Sequence, residues 1–355
     1  MRVGIVTYNS RDDLPGCFAA LRQQTYPQFE ITVWDNASLD GCADWVAEYA
    51  PDADVIRSTE NVGYGRGHNA IAERHPAAYY LALNPDARLE PDYIAALVHA
   101  LEHDSTVGWA TGKLLLPPDD DQPEAAPRQI YSVGHALLRD GYAFNIGQGQ
   151  PDDARFSSTR QIFGAPGAAV LVRPQLIADL GVLFEPRFFL YNEDTDLDWR
   201  AQRAGWNCLY VPEAVATHRG SQPREALRVE AVTNRNLSII RNAYWRDLLV
   251  YNLPRIVLHT LIRCVVTPRL GLKMAIRLLR LGPVMIRLRR KPRRTYAEMQ
   301  AWFDWASQQP GSESGRLLSR IRSLRHMLQR RRFMPADAAM NAVDAANPAE
   351  PLPLP

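Results

Sequence analysis

Residues 191–200 read YNEDTDLDWR and put four carboxylates, Glu193, Asp194, Asp196 and Asp198, into six positions. Carboxylates this close raise one another's pKa unless a cation stands nearby, and one so placed can act as a general base toward a hydroxyl. Two readings are open at this level. Acids favour the first turn of a helix, where the macrodipole is positive, so two or three of the four need no further role. One is then left for proton abstraction. The 1-3-5 spacing of Asp194, Asp196 and Asp198 matches a calcium loop, but position six is Trp199, where such a loop needs glycine. That chemistry is excluded.

A second group lies in NPDA (84–87), which holds Asp86 in a tight turn after an apolar run. An oxygen ligand of this kind suits Mg²⁺ or Mn²⁺, and those cations suit a diphosphate. His218, in ATHRGS, is the best second ligand among the eight histidines. Asn-Pro-Asp is equally good turn chemistry, and a loop histidine can simply cap its neighbours. NVGYGRGHN (61–69) carries a glycine at every second position, which is not the GxGxxG of a dinucleotide fold. These glycines mark a loop entering a helix, and they also permit a ligand close to the backbone.

The elements that must position these groups follow from periodicity. RVGIVTY predicts a first strand, and Leu14, Phe18 and Leu21 recur at helical spacing in 11–23. ITVWDN is a second strand, followed by a helix over 40–49, a strand over 54–57, a helix over 66–74 and a strand in AAYYLALNPDA. Pro91 suits the first turn of a helix running to about His103. This rhythm predicts an α/β domain with a largely parallel sheet. Ligands of such sheets bind beyond the carboxyl ends of the strands. That rule selects Thr7, Tyr8 and Asn9, then Asp35 and Asn36, then Asn84 to Asp86. Residues 117–160, rich in Pro, Asp, Gln and Gly, predict a long insertion or mobile loop. GAAVLVRP resumes the sheet, the acidic run opens a helix with Leu197 and Ala201 inward and Gly205 as its stop, NCLYVP is a strand and ATHRGS a loop.

Charge divides the chain. Residues 1–240 carry 20 Lys+Arg against 32 Asp+Glu, whereas residues 241–355 carry 21 against 7. A basic half points to an anionic partner, with internal pairing as the plain alternative. In RIVLHTLIRCVV the polar Arg255, His259 and Arg263 recur every four residues, and Arg269, Lys273, Arg277, Arg280 and Arg287 follow on about one face. With Pro268 and Pro283 as breaks, this pattern is read as interfacial helices with cations toward lipid phosphates rather than as a spanning segment. RLRRKPRR (287–294) lacks the aromatic interleaving of a nucleic-acid surface, so no nucleic acid is expected. Four scattered cysteines and a start that is neither signal nor transit sequence fit a reduced, cytosolic setting. The tail ending AEPLPLP is expected to be disordered.

Taken in order, TYNS, WDNASLDG, ENVGYGRGHN, ALNPDARLEPDY, GAAVLVRP and FFLYNEDTDLDWRAQRAGW resemble the inverting family-2 glycosyltransferases of GT-A fold, over about residues 2–220. They are most similar to the bacterial rhamnosyltransferase and galactofuranosyltransferase-like branch. The resemblance implies a Rossmann-like, mixed but mostly parallel sheet flanked by helices at 1–220; charge and composition add a basic membrane-associating helical extension at 221–332 and a disordered tail at 333–355. It implies Asp194 as catalytic base with Glu193 as helper, leaving Asp196 and Asp198 to helix-start and surface roles. Donor contacts would come from Thr7, Asn9, Asp35, Asn36, Gly65, Asn69, Asn84 and Asp86, with Asp35 accepting a hydrogen bond from a pyrimidine ring. Asn84-Pro85-Asp86 stands where the family has DxD, so one ligand carboxylate is missing and Asp86 with His218 is implied to hold Mg²⁺ or Mn²⁺. The implied reaction moves a sugar, L-rhamnose from dTDP-rhamnose in the nearest branch or a UDP-sugar such as UDP-galactofuranose, to a saccharide acceptor. That acceptor would be lipid-linked and met at the inner face of the cell membrane. A nucleotidyltransferase would need a Gly-rich, Arg/Lys-bearing loop after strand one, and TYNSRDDLPG supplies none. A non-catalytic sugar-binding scaffold would lack the base or the metal ligand, and both are present.

Overall fold

A computed structural model describes residues 1–118, 127–220 and 227–310. Strand β1 (Arg2–Thr7) is buried at all six positions, which explains why it reads as a continuous run rather than an alternating one. It lies between β2 (Glu30–Asp35) and β4 (Tyr80–Leu83), parallel to both, and β3 (Asp54–Arg57) extends the sheet beyond β2, also parallel. Helices α1 (Leu14–Arg22), α2 (Cys42–Tyr49) and α3 (Tyr64–Arg74) make the crossovers. These elements fall where the periodicity placed them, within two residues or so at most ends.

After β4 the chain forms a short β5 (Ala87–Leu89), α4 (Tyr93–His103) and the fully buried β6 (Val107–Leu115). The segment expected to be a loop is instead built into the fold where it is described. It forms β7 (Ile130–Ser132), β8 (His135–Leu137), β9 (Ala143–Asn145) and β10 (Arg160–Ile162), and buries Ile130, Val133, Ala136, Leu137 and Leu138. Its strands are three residues long, too short for a period to show, and distant partners specify them. The chain then runs through β11 (Ala169–Val172), α5 (Pro174–Leu180) and α6 (Glu193–Arg203) to β12 (Asn207–His218). Strand β12 therefore absorbs ATH, which was expected in a loop. The sheet order is β10-β12-β6-β11-β4-β1-β2-β3, with β5 on β12 and β7 on β6. Strand β11 is antiparallel to both β4 and β6, so the sheet is mixed. The α/β class with a mixed, mostly parallel sheet and a C-terminal helical part is the observed architecture.

One face of the sheet packs Val3, Ile5 and Leu81 on Leu14, Phe18 and Leu97; the other packs Val6, Trp34 and Tyr80 toward Ile71 and Phe184. A third cluster joins Phe163 and Trp199 to Leu237, Met285, Met299 and Phe303 of the C-terminal helices. Those helices are α7 (Arg228–Asn242), then α8 (Trp245–Asp247) leading through a π-helical turn at Leu248–Asn252 into α9 (Leu253–Val266), then α10 (Pro268–Arg287) and α11 (Tyr296–Gln308).

The basic stretch departs from its expected use. Arg289 donates to the carbonyls of Ile240 and Ala243, Arg290 to that of Asp179, and Arg294 to that of Trp206. Arg293 pairs with the Asp179 carboxylate at 2.7 Å. RLRRKPRR is thus largely a clasp on helix C-termini, where cations meet orphan carbonyls. Arg277 is turned inward onto Glu230 and Asn234, whereas Arg269, Lys273, Arg280 and Arg287 are exposed. Trp245–Val266 is, by length and composition, apolar enough to cross a membrane, contrary to the sequence reading. Charges at Arg255 and Arg263 interrupt it too sparsely to fail that test, and Arg255 is neutralised against Asp140 at 3.3 Å. The tail at 333–355 lies outside the described residues.

Candidate active site

The carboxyl ends of β1, β2 and β4 open on one edge of the sheet, as the strand-end rule requires. Thr7 closes β1 fully buried and its hydroxyl donates to Asp35 Oδ1 at 3.1 Å. Asp35 Oδ2 accepts from the Ser38 N–H at 3.3 Å. Asn9 stands in the left-handed region, accepts from the Leu39 N–H and donates its own N–H to Ser38 Oγ, both at 2.9 Å. The loops after β1 and β2 are therefore tied together beside Thr7 and Asp35.

Three residues read as donor contacts serve the framework here. Asn36 Oδ1 accepts from Trp34 Nε1 at 3.0 Å and from the Val62 N–H at 3.1 Å. Asn69 exchanges both amide groups with the backbone of Phe184, at 2.8 and 2.9 Å. Gly65 lies against Phe184, whose Cβ would sit 2.9 Å from a side chain added there. Its hydrogen lets α3 seat against the Phe184 segment.

The second group converges. Asn84 directly follows β4 with its backbone N–H on Ala168 O at 2.8 Å, and Asp86 lies in the turn after it. Strand β12 pairs antiparallel with β5 so that His218 stands opposite Ala87. This register brings His218 Nε2 to 3.2 Å from both Asp86 Oδ1 and Asn84 Nδ2. His218 is buried under the edge of the Tyr131 ring, at 4.7 Å between centroids. Burial works against the charge on Asp86, but the hydrogen bond and charge of His218 outweigh it and hold that carboxyl below its usual range. A carboxylate and an imidazole at this distance form a donor pair that fits Mg²⁺ or Mn²⁺, with further positions left for phosphate oxygens or water. Among the described residues no group of three or more His, Cys, Asp or Glu forms a cluster that could hold a metal.

The acidic run begins α6, as expected, and its four carboxylates separate by environment. Two consecutive left-handed residues, Tyr191 and Asn192, precede it. Such backbone is costly outside glycine and persists only when surroundings hold it. Here Asn234 of α7 donates to the carbonyls of Leu190 and Tyr191 at 3.0 and 2.9 Å, and Asn192 donates to Ala231 O at 3.0 Å. Glu193 is buried, and Oε2 has no partner. Burial first and the charge of Asp194 second push its carboxyl up to about 8, so it keeps its proton at neutral pH. Asp194 is the open one, its side chain 27% exposed. Its Oδ2 accepts from the Gly167 N–H at 3.2 Å, and its Oδ1 from the Thr195 N–H at 2.7 Å.

Asp196 and Asp198 do not take the surface roles implied for them: both are fully buried. Asp196 is held by Arg200 at 2.6 Å, Asn242 at 2.8 Å, Ser238 at 3.2 Å and Arg241 at 3.3 Å. Asp198 accepts from Trp109 Nε1 and His135 Nδ1, both at 2.9 Å, and from the Ala165 N–H at 3.0 Å. Cations and donors four to ninety residues away make this burial tolerable, and no local pattern announces them.

Three neighbours were missed by sequence reasoning. Tyr64 donates to Gly167 O at 2.5 Å, and its phenol is raised by burial first, then by Glu193, Asp194 and Asp86 among others. Tyr131, pushed up to about 12, feels burial first and then both Asp194 and Asp86. Tyr131 packs edge-on against His218, and Tyr64 hydrogen-bonds the carbonyl of Gly167, whose N–H holds Asp194. His135, whose Nε2 is 3.9 Å from Asp194 Oδ2, is the third. Tyr131 and His135 sit in the segment dismissed as a loop, where the apolar residues of IYSVGHALL were the available signal.

Comparison with known proteins bears on the family and the fold. Residues 2–148 match the family described as Glycosyl transferase family 2. The N-acetylglucosaminyl-diphospho-decaprenol L-rhamnosyltransferase of two Mycobacterium tuberculosis strains is 29% identical over 228 residues, spanning 60% of this chain and 74% of that protein. Among solved structures, GalNAc-T7 with UDP, GalNAc and Mn²⁺ superposes with a TM-score of 0.52 at 13% identity, over 68% of this chain and 47% of that one. This chain spans about half the length of that structure, and the likeness is one of fold.

Proposed function

We propose that the chain, whose residues 2–148 match glycosyl transferase family 2, moves L-rhamnose from dTDP-rhamnose to a hydroxyl of a lipid-linked saccharide, with inversion. The observation that supports this reading is the Asp86/His218 pair at 3.2 Å under Tyr131, with the open Asp194 held by the Gly167 N–H beside Tyr64. The mycobacterial relative's name supplies the choice of rhamnose and of a diphospho-polyprenol acceptor.

Thr7 and Asp35 would receive the nucleoside, with the Asp35 carboxylate as acceptor for a ring N–H. Asp86 and His218 would hold Mg²⁺ or Mn²⁺. Such a cation neutralises charge growing on a departing diphosphate. Asp194, the exposed carboxylate, removes the proton of the acceptor hydroxyl as that oxygen attacks the anomeric carbon from the face opposite the diphosphate. A single displacement of this kind inverts the configuration. Glu193 keeps its proton at neutral pH and can donate a hydrogen bond beside the base. The outward apolar side of α8 to α10, bordered by Arg269, Lys273, Arg280 and Arg287, supports placing the enzyme on the inner face of the membrane, where such an acceptor lies.

Product formation is to be followed with dTDP-rhamnose, UDP-galactofuranose and a GDP-sugar, with and without Mn²⁺. The expected outcome is turnover of dTDP-rhamnose only, dependent on the cation. Asp194→Asn should lower turnover by roughly 10²–10⁴-fold with donor binding kept. Preference for UDP-galactofuranose would replace the donor, and undiminished turnover in Asp194→Asn would remove the base.

A further inference from the structure

His135 and Asp198 lie behind the proposed base and no step above uses them. Asp198 has both oxygens engaged: Oδ1 accepts from Trp109 Nε1 and the Ala165 N–H, and Oδ2 from His135 Nδ1. The carboxylate packs on Gly164, where an added Cβ would fall 1.9 Å from the Asp198 carboxyl carbon, so only glycine leaves it room. The same loop fixes the histidine, whose backbone N–H donates to Gly164 O at 2.7 Å. With Nδ1 donating to Asp198, the ring cannot turn without breaking that bond, and Nε2 carries a hydrogen only in the imidazolium form. Nε2 is then the atom that faces Asp194 Oδ2, at 3.9 Å. The N–H groups of Ala165 and Gly167, two residues apart, donate to Asp198 and Asp194 respectively. One short loop therefore spaces both carboxylates about one ring.

We propose that His135, anchored by Asp198, is a positioning residue for sugar transfer, its protonated ring presenting Nε2–H to Asp194 and thereby holding that carboxylate in place. The inference rests on Asp194 being the base. It is consistent with the electrostatics of the ring. Burial opposes the imidazolium, but the bond to Asp198 and the charges of Asp194 and Asp198 outweigh it and raise His135 above 6.5. The charged groups acting on the ring are Asp194 and Asp198 of α6. Around them, Glu193 holds its proton at neutral pH, while the buried Cys208 thiol of β12 and the Tyr64 and Tyr131 phenols are raised and stay neutral.

The test reads the ring directly in the full-length protein. Imidazole ¹⁵N signals are followed across pH with ¹⁵N-histidine labelling, and His135 is assigned by its loss in His135→Gln. The wild-type ring should titrate above 6.5, with both nitrogens protonated below its midpoint and the proton left on Nδ1 above it, and the midpoint should fall in both Asp194→Asn and Asp198→Asn. An amide at 198 would also donate to Nδ1 and force the other tautomer, which the Nδ1 signal reports. In transfer assays His135→Gln should lose roughly tenfold or more in kcat with the donor KM unchanged. A midpoint that stays in place in Asp194→Asn overturns the proposal, as does wild-type kcat in His135→Gln. Should His135→Gln fail to fold, Asp198→Asn and Asp194→Asn still decide the coupling from the ring assigned by elimination against the other seven histidines. If no sugar donor turns over, the proposed reaction fails, while the ring titration still answers for His135.

Discussion

Glu193 and Asp194 are adjacent in sequence, yet one is sealed in and the other opens to the cleft. For Glu193 the folded carboxyl holds its proton to about pH 8, whereas the unfolded one releases it near 4.5. In that window the folded state binds more protons, so stability falls as pH rises from 4.5 to 8. Glu193→Gln removes the penalty. It should melt higher than wild type at pH 8, by an amount on the order of a few kcal/mol, with the gap closing below pH 4.5. Thermal denaturation of both proteins from pH 4 to 9 checks this, and a gap independent of pH would contradict the burial argument. At this scale the sequence distinguished Asp194 from its neighbours only through an ordered set of motifs. Asp196 and Asp198 were illegible because what tolerates their burial, Arg241 and His135, arrives from elsewhere in the chain.

Helix α6 is the element on which the site depends, and α7 is what holds it. Arg241 of α7 bridges the buried Glu185 at 2.7 Å and Asp196 at 3.3 Å, while Asn234 secures the two left-handed residues before α6. Removing one partner from a buried ionic network strands the others. Arg241→Ala should therefore cost about 3–5 kcal/mol in denaturant unfolding. Arg255→Ala, which breaks a partly exposed pair with Asp140, should cost less than about 1 kcal/mol. Equal losses would mean that α7 is not coupled to α6 in this way. The strands and helices of residues 1–103 were legible because each carries its own period or apolar run. The three-residue strands of 127–162 were not, since β7 exists only through β6 and β10 only through β12. The same limit hid His135, placed by β8, from any reading of the site.

Across the whole molecule the excess of cations in residues 241–355 is spent in two ways. The clasp formed by Arg289, Arg290, Arg293 and Arg294 consumes part of it internally, as the plain reading of the charge asymmetry required. What faces outward is more apolar than the sequence implied: Val250, Leu258, Leu261 and Val265 on α8 to α9, and Leu272, Ile276 and Leu279 on α10, are all more than half exposed. Water is a poor solvent for such a surface, and a contiguous apolar patch on a folded protein marks an interaction site. Cations alone would give binding that salt removes within a Debye length, whereas inserted leucines would not be displaced so easily. The full chain should therefore float with vesicles containing anionic lipid, and a good part of that binding should survive 0.5 M salt. The double variant Leu261→Asp/Leu279→Asp should melt within about 0.5 kcal/mol of wild type, because both side chains point outward. It should nevertheless lose flotation at high salt, since each charge must then leave water for the acyl boundary. Flotation that is abolished by salt in wild type would assign the contact to the exposed arginines instead, and no flotation at all would leave the apolar face to a protein partner.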